Sequence, residues 1–254
     1  MLAFERREKI KSYIKTDKKV IIAELAEYFK VSDETIRRDL KKLEKEGLLT
    51  RFHGGASTHN LINEELPYQT RNQKNIKEKK NIATKLAGII ENGQTLFVDA
   101  SSTSIESINE VVRQNKKGIS IITNSISLLS DLRDSRINVV STGGELRSKS
   151  NSLVGVIAEE SIKHYFGDIA IFGCKGLSLE KGVTESNEAE NQIKKQMEKQ
   201  VDKVILLADH TKFDQIAFVR LFYLDKVDCI ITDKEPPREW KELLKKKGVK
   251  LIFD

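Results

Sequence analysis

Disulfide-forming, membrane-spanning and metal-binding patterns are all missing from this sequence. Its 254 residues include only two Cys, two Met, one Trp and three Pro. Cys174 and Cys229 lie far apart, each in or beside an apolar run. They read as buried structural thiols, not as a disulfide framework, and low cysteine use suits a reducing compartment. No apolar run approaches the ~20 residues that a helix needs to cross a bilayer. The first ten residues are charged and lack the apolar core of a secretory signal. These absences predict a soluble, cytoplasmic protein without membrane contact. His53, His59, His164 and His210 share no ligand spacing with one another or with the cysteines, so no metal site is expected. No nucleophile elbow supports a serine triad. Neither catalytic residues nor a cofactor are expected.

Most of the chain also lacks a bias of charge. Residues 81–254 carry 25 Lys and Arg against 25 Asp and Glu. The net charge of +6 comes from the start of the chain: 14 basic against 10 acidic residues over 1–60, and 5 against 3 over 61–80. Positive charge confined to one end fits a nucleic-acid contact made by that end alone. An ordinary Lys-rich surface is the alternative that charge by itself leaves open.

Within the first sixty residues, Phe4, Ile10, Tyr13 and Ile14 recur at helical spacing in Phe4–Lys15. A second helix is expected over Ile22–Phe29, with Leu25, Ala26 and Phe29 inward. Lys30-Val31 makes a tight turn, and Ser32 is a good N-cap for a third helix over Asp33–Glu46. Asp33 and Glu34 fall in its first turn, where the helix dipole favours acids. Ile36, Leu40 and Leu43 form one inward stripe, and Gly47 follows as a C-cap. The opposite face carries Thr35, Arg37, Arg38, Lys41, Lys42 and Lys45. Short helices, a tight turn and a basic third helix describe a helix-turn-helix. In a major groove, the N-terminal polar residues of the third helix, Ser32, Glu34 and Thr35, with Arg37 and Arg38, face base edges, while Lys41 and Lys42 meet phosphates. Leu48–Arg51 reads as a short strand. Phe52-His53-Gly54-Gly55 then turns sharply, since glycine tolerates positive φ. This makes a wing, with Arg51, His53 and Gly54 beside the DNA backbone or minor groove. A small helical protein-interaction module has the same outline.

The run Val31-Ser32-Asp33-Glu34-Thr35-Ile36-Arg37-Arg38-Asp39-Leu40, then Leu43-Glu44, Gly47-Leu48-Leu49 and Arg51-Phe52-His53-Gly54-Gly55-Ala56, resembles the DNA-binding signature of DeoR-type regulators. The resemblance implies that Thr35, Arg37 and Arg38 face DNA. It leaves Asp39 to orient an arginine, since phosphates repel a carboxylate.

Ser57 to Asn75 has little apolar periodicity and contains Pro67, so residues 59–76 read as a linker between a domain at 1–58 and one at 77–254. Beyond it, a helix at Lys79–Ile90 precedes alternating strands and helices. The expected strands are Thr95–Val98, Ile119–Ile122, Ile137–Ser141, Ile169–Phe172, Val204–Ala208, Cys229–Thr232 and Val249–Phe253. The expected helices are Thr103–Gln114, Ile126–Arg133, Gly155–His164, Ser186–Gln200 and Pro237–Lys247. The fold class is therefore α/β: a small winged helix-turn-helix domain, then a doubly wound, mainly parallel sheet. Such sheets bind ligands at the carboxyl ends of their strands. Those ends gather Asp99, Ser101, Ser102 and Thr103; Thr123 and Asn124; Gly143 and Gly144; Lys175; and Asp209 and Lys212. Ser101-Ser102-Thr103 opens a helix, which suits a phosphate. Lys175 and Lys212 supply counter-charge, and Asp99 and Asp209 accept from sugar hydroxyls.

These loops, with Gly182-Val183-Thr184, Glu188-Ala189 and Lys194, are similar to the effector domain of the same family, itself similar to ribose-phosphate isomerases and glucosamine-phosphate deaminases. Ser101 stands where the family's first loop often has glycine. The resemblance covers about residues 3–254. It implies a regulator, a repressor of a carbohydrate-metabolism operon, that binds double-stranded operator DNA as a homo-dimer or tetramer under control of a phosphorylated sugar. The alternative is a sugar-phosphate isomerase carrying a DNA-binding domain, with Asp99, Glu185, Glu188 and Asp209 as available carboxylates.

Overall fold

The computed structural model describes residues 2–17, 19–46, 48–52, 54–57, 65–133 and 135–254. The chain divides into two units, at 1–61 and 62–254. The first unit runs α1 (Ala3–Asp17), β1 (Lys19–Ile21), α2 (Ile22–Phe29), α3 (Asp33–Lys45), β2 (Thr50–Phe52) and β3 (Gly55–Ser57). Ile10, Ile14, Leu25, Phe29, Ile36, Leu40 and Leu43 close its core with Val20, Leu49 and Ala56. Lys30 adopts the left-handed conformation, φ +53°, and ends α2. Ser32 Oγ accepts the Thr35 N–H at 3.3 Å and caps α3. The strands pair antiparallel in the order β1-β3-β2. Three-residue β1 shows no period in the sequence. The strand expected over 48–51 sits two residues later, because Leu49 turns into the core. Gly47, expected as a cap, lies outside the described residues.

The second unit follows as α4 (Tyr68–Gln73), α5 (Ile76–Ile89), β4 (Thr95–Val98), α6 (Ser102–Arg113), β5 (Ser120–Thr123), α7 (Ile126–Asp131) and β6 (Asn138–Ser141). Next come a hairpin of β7 (Glu145–Arg147) and β8 (Ser152–Val154), then α8 (Val156–Ile162), β9 (Gly167–Gly173), β10 (Gly176–Ser178) and β11 (Gly182–Glu185). The chain finishes with α9 (Glu188–Glu198), β12 (Val201–Leu207), β13 (Val219–Phe222), β14 (Cys229–Ile231), α10 (Arg238–Lys246) and β15 (Lys250–Ile252). The seven strands expected from sequence form one sheet in the order β15-β14-β12-β9-β4-β5-β6, parallel throughout.

Side chains alternate across that sheet. Leu96, Val98, Ile121, Ile169, Ile171, Ile205 and Leu207 pack with Ile82 and Leu86 of α5, Ile105 and Ile108 of α6, and Leu128 of α7. Phe97, Ala170, Phe172, Val204, Leu206 and Ile230 pack with Ala158 of α8, Ile193 and Met197 of α9, and Trp240 and Leu244 of α10. Burial on both faces explains the continuous Ile and Val runs. From β4 the chain steps to β5 and β6, then returns to β9 on the other side of β4. The crevice between the ends of β4 and β9 is thus the topological switch point, where such sheets bind ligands.

Of the segment 59–76 that reads as a linker, residues 65–76 are built onto the second unit. Arg147 pairs with Glu65 at 2.5 Å, and the Tyr68 N–H donates to Lys149 O at 2.9 Å. Pro67 sits just before α4, where its missing N–H costs no helical bond. These anchors are single polar contacts, which leave no apolar period. A three-stranded antiparallel sheet, β10-β11-β13, also goes unannounced in the sequence. No helix among the described residues is long and apolar enough to cross a membrane.

Candidate functional site

The outer face of α3 is open. Ser32, Glu34, Arg37, Arg38, Lys41 and Lys42 are exposed and Thr35 half-exposed, while Ile36, Leu40 and Leu43 are fully buried behind them. Thr35 Oγ1 lies 3.0 Å from Ser32 Oγ, and Arg38 pairs with Glu34 at 3.4 Å. Asp39, on the inward side, is buried against α1: Arg6 Nε lies 2.5 Å and Arg7 3.3 Å from its carboxylate. It orients arginines, as expected, and fixes α3 on α1. In the wing, Arg51 donates from both its backbone N–H and Nε to Glu44, at 3.0 and 2.8 Å. Burial works against ionised Glu44, but these bonds outweigh it and hold its carboxyl below the usual range. Gly54 has φ +94°, which favours glycine. His53 and the Lys45 side chain lie outside the described residues.

At the sheet's carboxyl edge, five strand ends stand side by side in the order β12, β9, β4, β5, β6. Ser101 caps α6, its Oγ accepting the Ser104 N–H at 3.1 Å. A Cβ on Gly173 would lie 2.4 Å from Ser101 Oγ. Serine in the first loop therefore fits because residue 173 of the next loop is glycine. Ser102 and Thr103 are buried in the first turn of α6, where backbone N–H groups lack intrahelical acceptors.

Asp99 is committed elsewhere. It is fully buried, accepts the Gly173 N–H at 3.1 Å and lies 2.8 Å from Lys194 Nζ. Lys194 also donates to Gly173 O at 2.9 Å and binds Glu185. Burial alone would discharge Lys194, yet Asp99 and Glu185 push its pKa up. This triad ties β4, β9, β11 and α9 beneath the switch point. Thr123 Oγ1 donates to Val98 O at 2.7 Å. Asn124 donates to Leu153 O at 3.0 Å, and its buried Oδ1 has no partner among the described residues. Gly144, φ +111°, leaves no room for a side chain: a Cβ would meet Val154 O at 2.6 Å. Gly143 is open.

The other side of the crevice is cationic. Lys175 follows β9, and burial with the nearby charges of Lys212 and Arg71 lowers its pKa to about 8. Lys79 of α5 is likewise lowered to about 8, by burial first and then by Lys212 and Arg71, against the pull of Asp209. Asp209 is buried and accepts the Thr211 N–H at 2.9 Å. Desolvation opposes its charge, but Lys212, 3.9 Å away, and bonds from Thr211 and Asn75 keep its carboxyl below the usual range. Burial first, and then like charge, depresses these lysines, and a bound anion would offset both effects. Sequence reasoning found Lys175, Lys212 and Asp209. It missed Lys79, Arg71 and Asn75, which come from the segment read as linker and the helix after it, and it gave no role to Lys194.

Glu78, His210 and Asp233 bring one donor atom each to within 4.8 Å of one another. No spacing in the sequence signals this meeting. His210 Nδ1 is already 2.7 Å from Asp233 Oδ2, and the His210 backbone N–H donates to Asp233 Oδ1 at 2.6 Å. The two His210–Asp233 contacts hold the turn His210–Lys212 in place.

A family profile described as DeoR-like helix-turn-helix domain matches residues 6–60, and one described as DeoR C terminal sensor domain matches residues 74–234. YulB of Bacillus subtilis (strain 168), an uncharacterized HTH-type transcriptional regulator, is 36% identical over 234 residues, covering 92% of this chain and 90% of its own. The glycerol-3-phosphate regulon repressor of Escherichia coli (strain K12) is 32% identical, covering 92% of each chain. The L-fucose operon activator of Haemophilus influenzae is 30% identical, covering 91% of this chain and 92% of its own.

Proposed function

The chain belongs to the DeoR family of transcriptional regulators, and on that premise we propose that it represses a carbohydrate-metabolism operon and is released by a phosphorylated sugar bound at the switch point. DNA binding falls to the first unit and effector binding to the second. The matched relatives are regulators, which sets aside the isomerase alternative. In this reading the protein works in the cytoplasm as a homo-dimer or tetramer, because helix-turn-helix proteins read paired half-sites as symmetric assemblies.

One observation carries the choice of effector. Lys79, Lys175 and Lys212 crowd one crevice beside the first turn of α6, and burial, followed by repulsion from neighbouring cations, lowers two of them to pKa values near 8. A phosphate there gains N–H bonds, the hydroxyls of Ser102 and Thr103, and charge-assisted bonds from the lysines. Asp209 and Asn124 suit the sugar. Effector binding that favours one arrangement of the assembly over another shifts operator affinity by about 1–3 kcal/mol.

The test is a thermal-shift panel of phosphorylated sugars, each beside its unphosphorylated parent, with gel shifts on the operator. The cognate phosphate ester should raise the melting midpoint and release DNA, and Lys212→Met should lose both responses while still binding DNA. Its affinity should fall as pH rises through about 8, because Lys79 and Lys175 then shed the protons that the anion needs. A neutral sugar that acts as well as its phosphate ester would overturn the reading.

A further inference from the structure

The start of the second unit carries positive charge of its own. Residues 61–80 hold 5 Lys and Arg against 3 acids, and two of these cations, Arg71 and Lys74, stand at the end of α4 and just past it. The segment is fastened at both ends. At its start, Glu65 pairs with Arg147 of the β7–β8 hairpin, and the Tyr68 N–H donates to Lys149 O. At its end, the Arg71 carbonyl accepts from Lys79 Nζ and, at 3.5 Å, from Ser102 Oγ, and the Asn75 side chain donates to Asp209.

The end of α4 thus rests on the residues that the effector reading assigns to the ligand. The guanidinium of Arg71 donates to Leu66 O at 3.2 Å and lies 5.9 Å from the Tyr68 ring centre. Its charge reaches Lys79 and Lys175, and the charge of Lys74 reaches Lys175. The acids around Arg71, Lys74, Lys79, Lys175 and Lys212 are Glu65 beside Arg71, Asp209 and Glu106 beside Lys79, and Glu185 beside Lys175. Repulsion among the five cations works against the seating of α4. An anion in the crevice reverses the sign of that contribution.

Resting on the effector reading above, we infer that the connector is itself part of the effector site: an anionic ligand draws Arg71 and Lys74 onto Ser102, Lys175 and Lys212 and so clamps residues 68–79. Occupancy then acts directly on the stretch of chain that leads to the DNA-binding unit. A ligand shifts a conformational equilibrium only through its different affinity for the two states. Here that difference comes from cations that belong to the clamped segment.

The full-length protein is titrated with inorganic phosphate against chloride at matched ionic strength. Binding is read by thermal shift, and the clamp by hydrogen exchange of the amides at 68–79. Phosphate should slow exchange there by about tenfold or more in the wild type. Arg71→Ala combined with Lys74→Ala should weaken phosphate binding by about tenfold or more and abolish the protection. Lys74→Ala alone, at an exposed site, should lose part of both and guards against misfolding of the double variant. Wild-type phosphate affinity in the double variant, or unchanged exchange at 68–79 in the wild type, overturns the clamp. If Lys212→Met still abolishes phosphate binding in that case, the effector site survives and only the clamp falls. If Lys212→Met also binds normally, both fall.

Discussion

Lys194→Met should cost the second unit about 3–5 kcal/mol, the scale seen when one partner of a buried ion pair is removed. Lys194 Nζ lies 2.8 Å from Asp99 Oδ2 and 2.9 Å from Gly173 O, and it bonds Glu185. Asp99 is fully buried and Lys194 nearly so. Methionine keeps the stem volume but leaves two carboxylates without a cation. Each must then stay charged in a dry site or take up a proton. Neutralising a carboxyl of ordinary pKa about 4 at pH 7 costs about 1.4 kcal/mol per pH unit, so about 4 kcal/mol is the ceiling for one group. At about 2–4 °C per kcal/mol for a unit of this size, the midpoint should fall by about 10 °C. Trp240 is the sole tryptophan and is fully buried in this unit, so urea unfolding followed by its fluorescence reports on this unit alone. The pH profile adds a second check. In the variant, protonation would relieve the buried carboxylates left without a cation, so its deficit should shrink as pH falls from about 7 to about 5. In the wild type, the raised pKa of Lys194 makes its contribution complete below the ordinary lysine value of 10.5 and lost only at higher pH. A loss under about 1 kcal/mol, flat across pH, would refute the view that the triad holds the switch point together.

Two further outcomes test the remaining parts. Arg37→Ala with Arg38→Ala should leave the fold intact, because both side chains are exposed, and should cost about 1–3 kcal/mol of operator affinity for each lost base contact; unchanged gel shifts at physiological salt would remove α3 from the interface. Gly173→Ala places a methyl 2.4 Å from Ser101 Oγ and 2.6 Å from its Cβ, so it should destabilise the second unit by about 1–3 kcal/mol. Ser101→Gly in the same chain should restore most of that loss, and no rescue would show that the two loops are not matched.

The first unit was legible because its signals are local. Ile36, Leu40 and Leu43 mark the buried face of α3, Ser32 its cap, and Arg37, Arg38, Lys41 and Lys42 its open side, all within about a dozen residues of one another. The seven parallel strands were legible for a different reason. A sheet covered on both faces must be apolar at every strand position, and runs such as Thr95–Val98 or Val204–Leu207 have few other uses. The short strands were not: β13 joins β11 across a long stretch of chain, Val183 to Phe222, and the hairpin β10–β11 has strands of only 3 and 4 residues, too short to show a period.

The site divides along the same line. Sequence alone places Asp99, Ser101, Lys175, Asp209 and Lys212 at strand ends, because alternation of strands and helices dictates which loops share an edge. What each one does depends on a partner that sequence distance conceals. Lys194 claims Asp99 from far along the chain, Gly173 makes room for Ser101, and Asn75 and the Arg71 carbonyl, in a segment that reads as linker, reach Asp209 and Ser102. Periodicity and caps report how a residue meets its own helix or strand. Charge pairing and close approach act through space, and only the closed sheet brings those groups within range of one another.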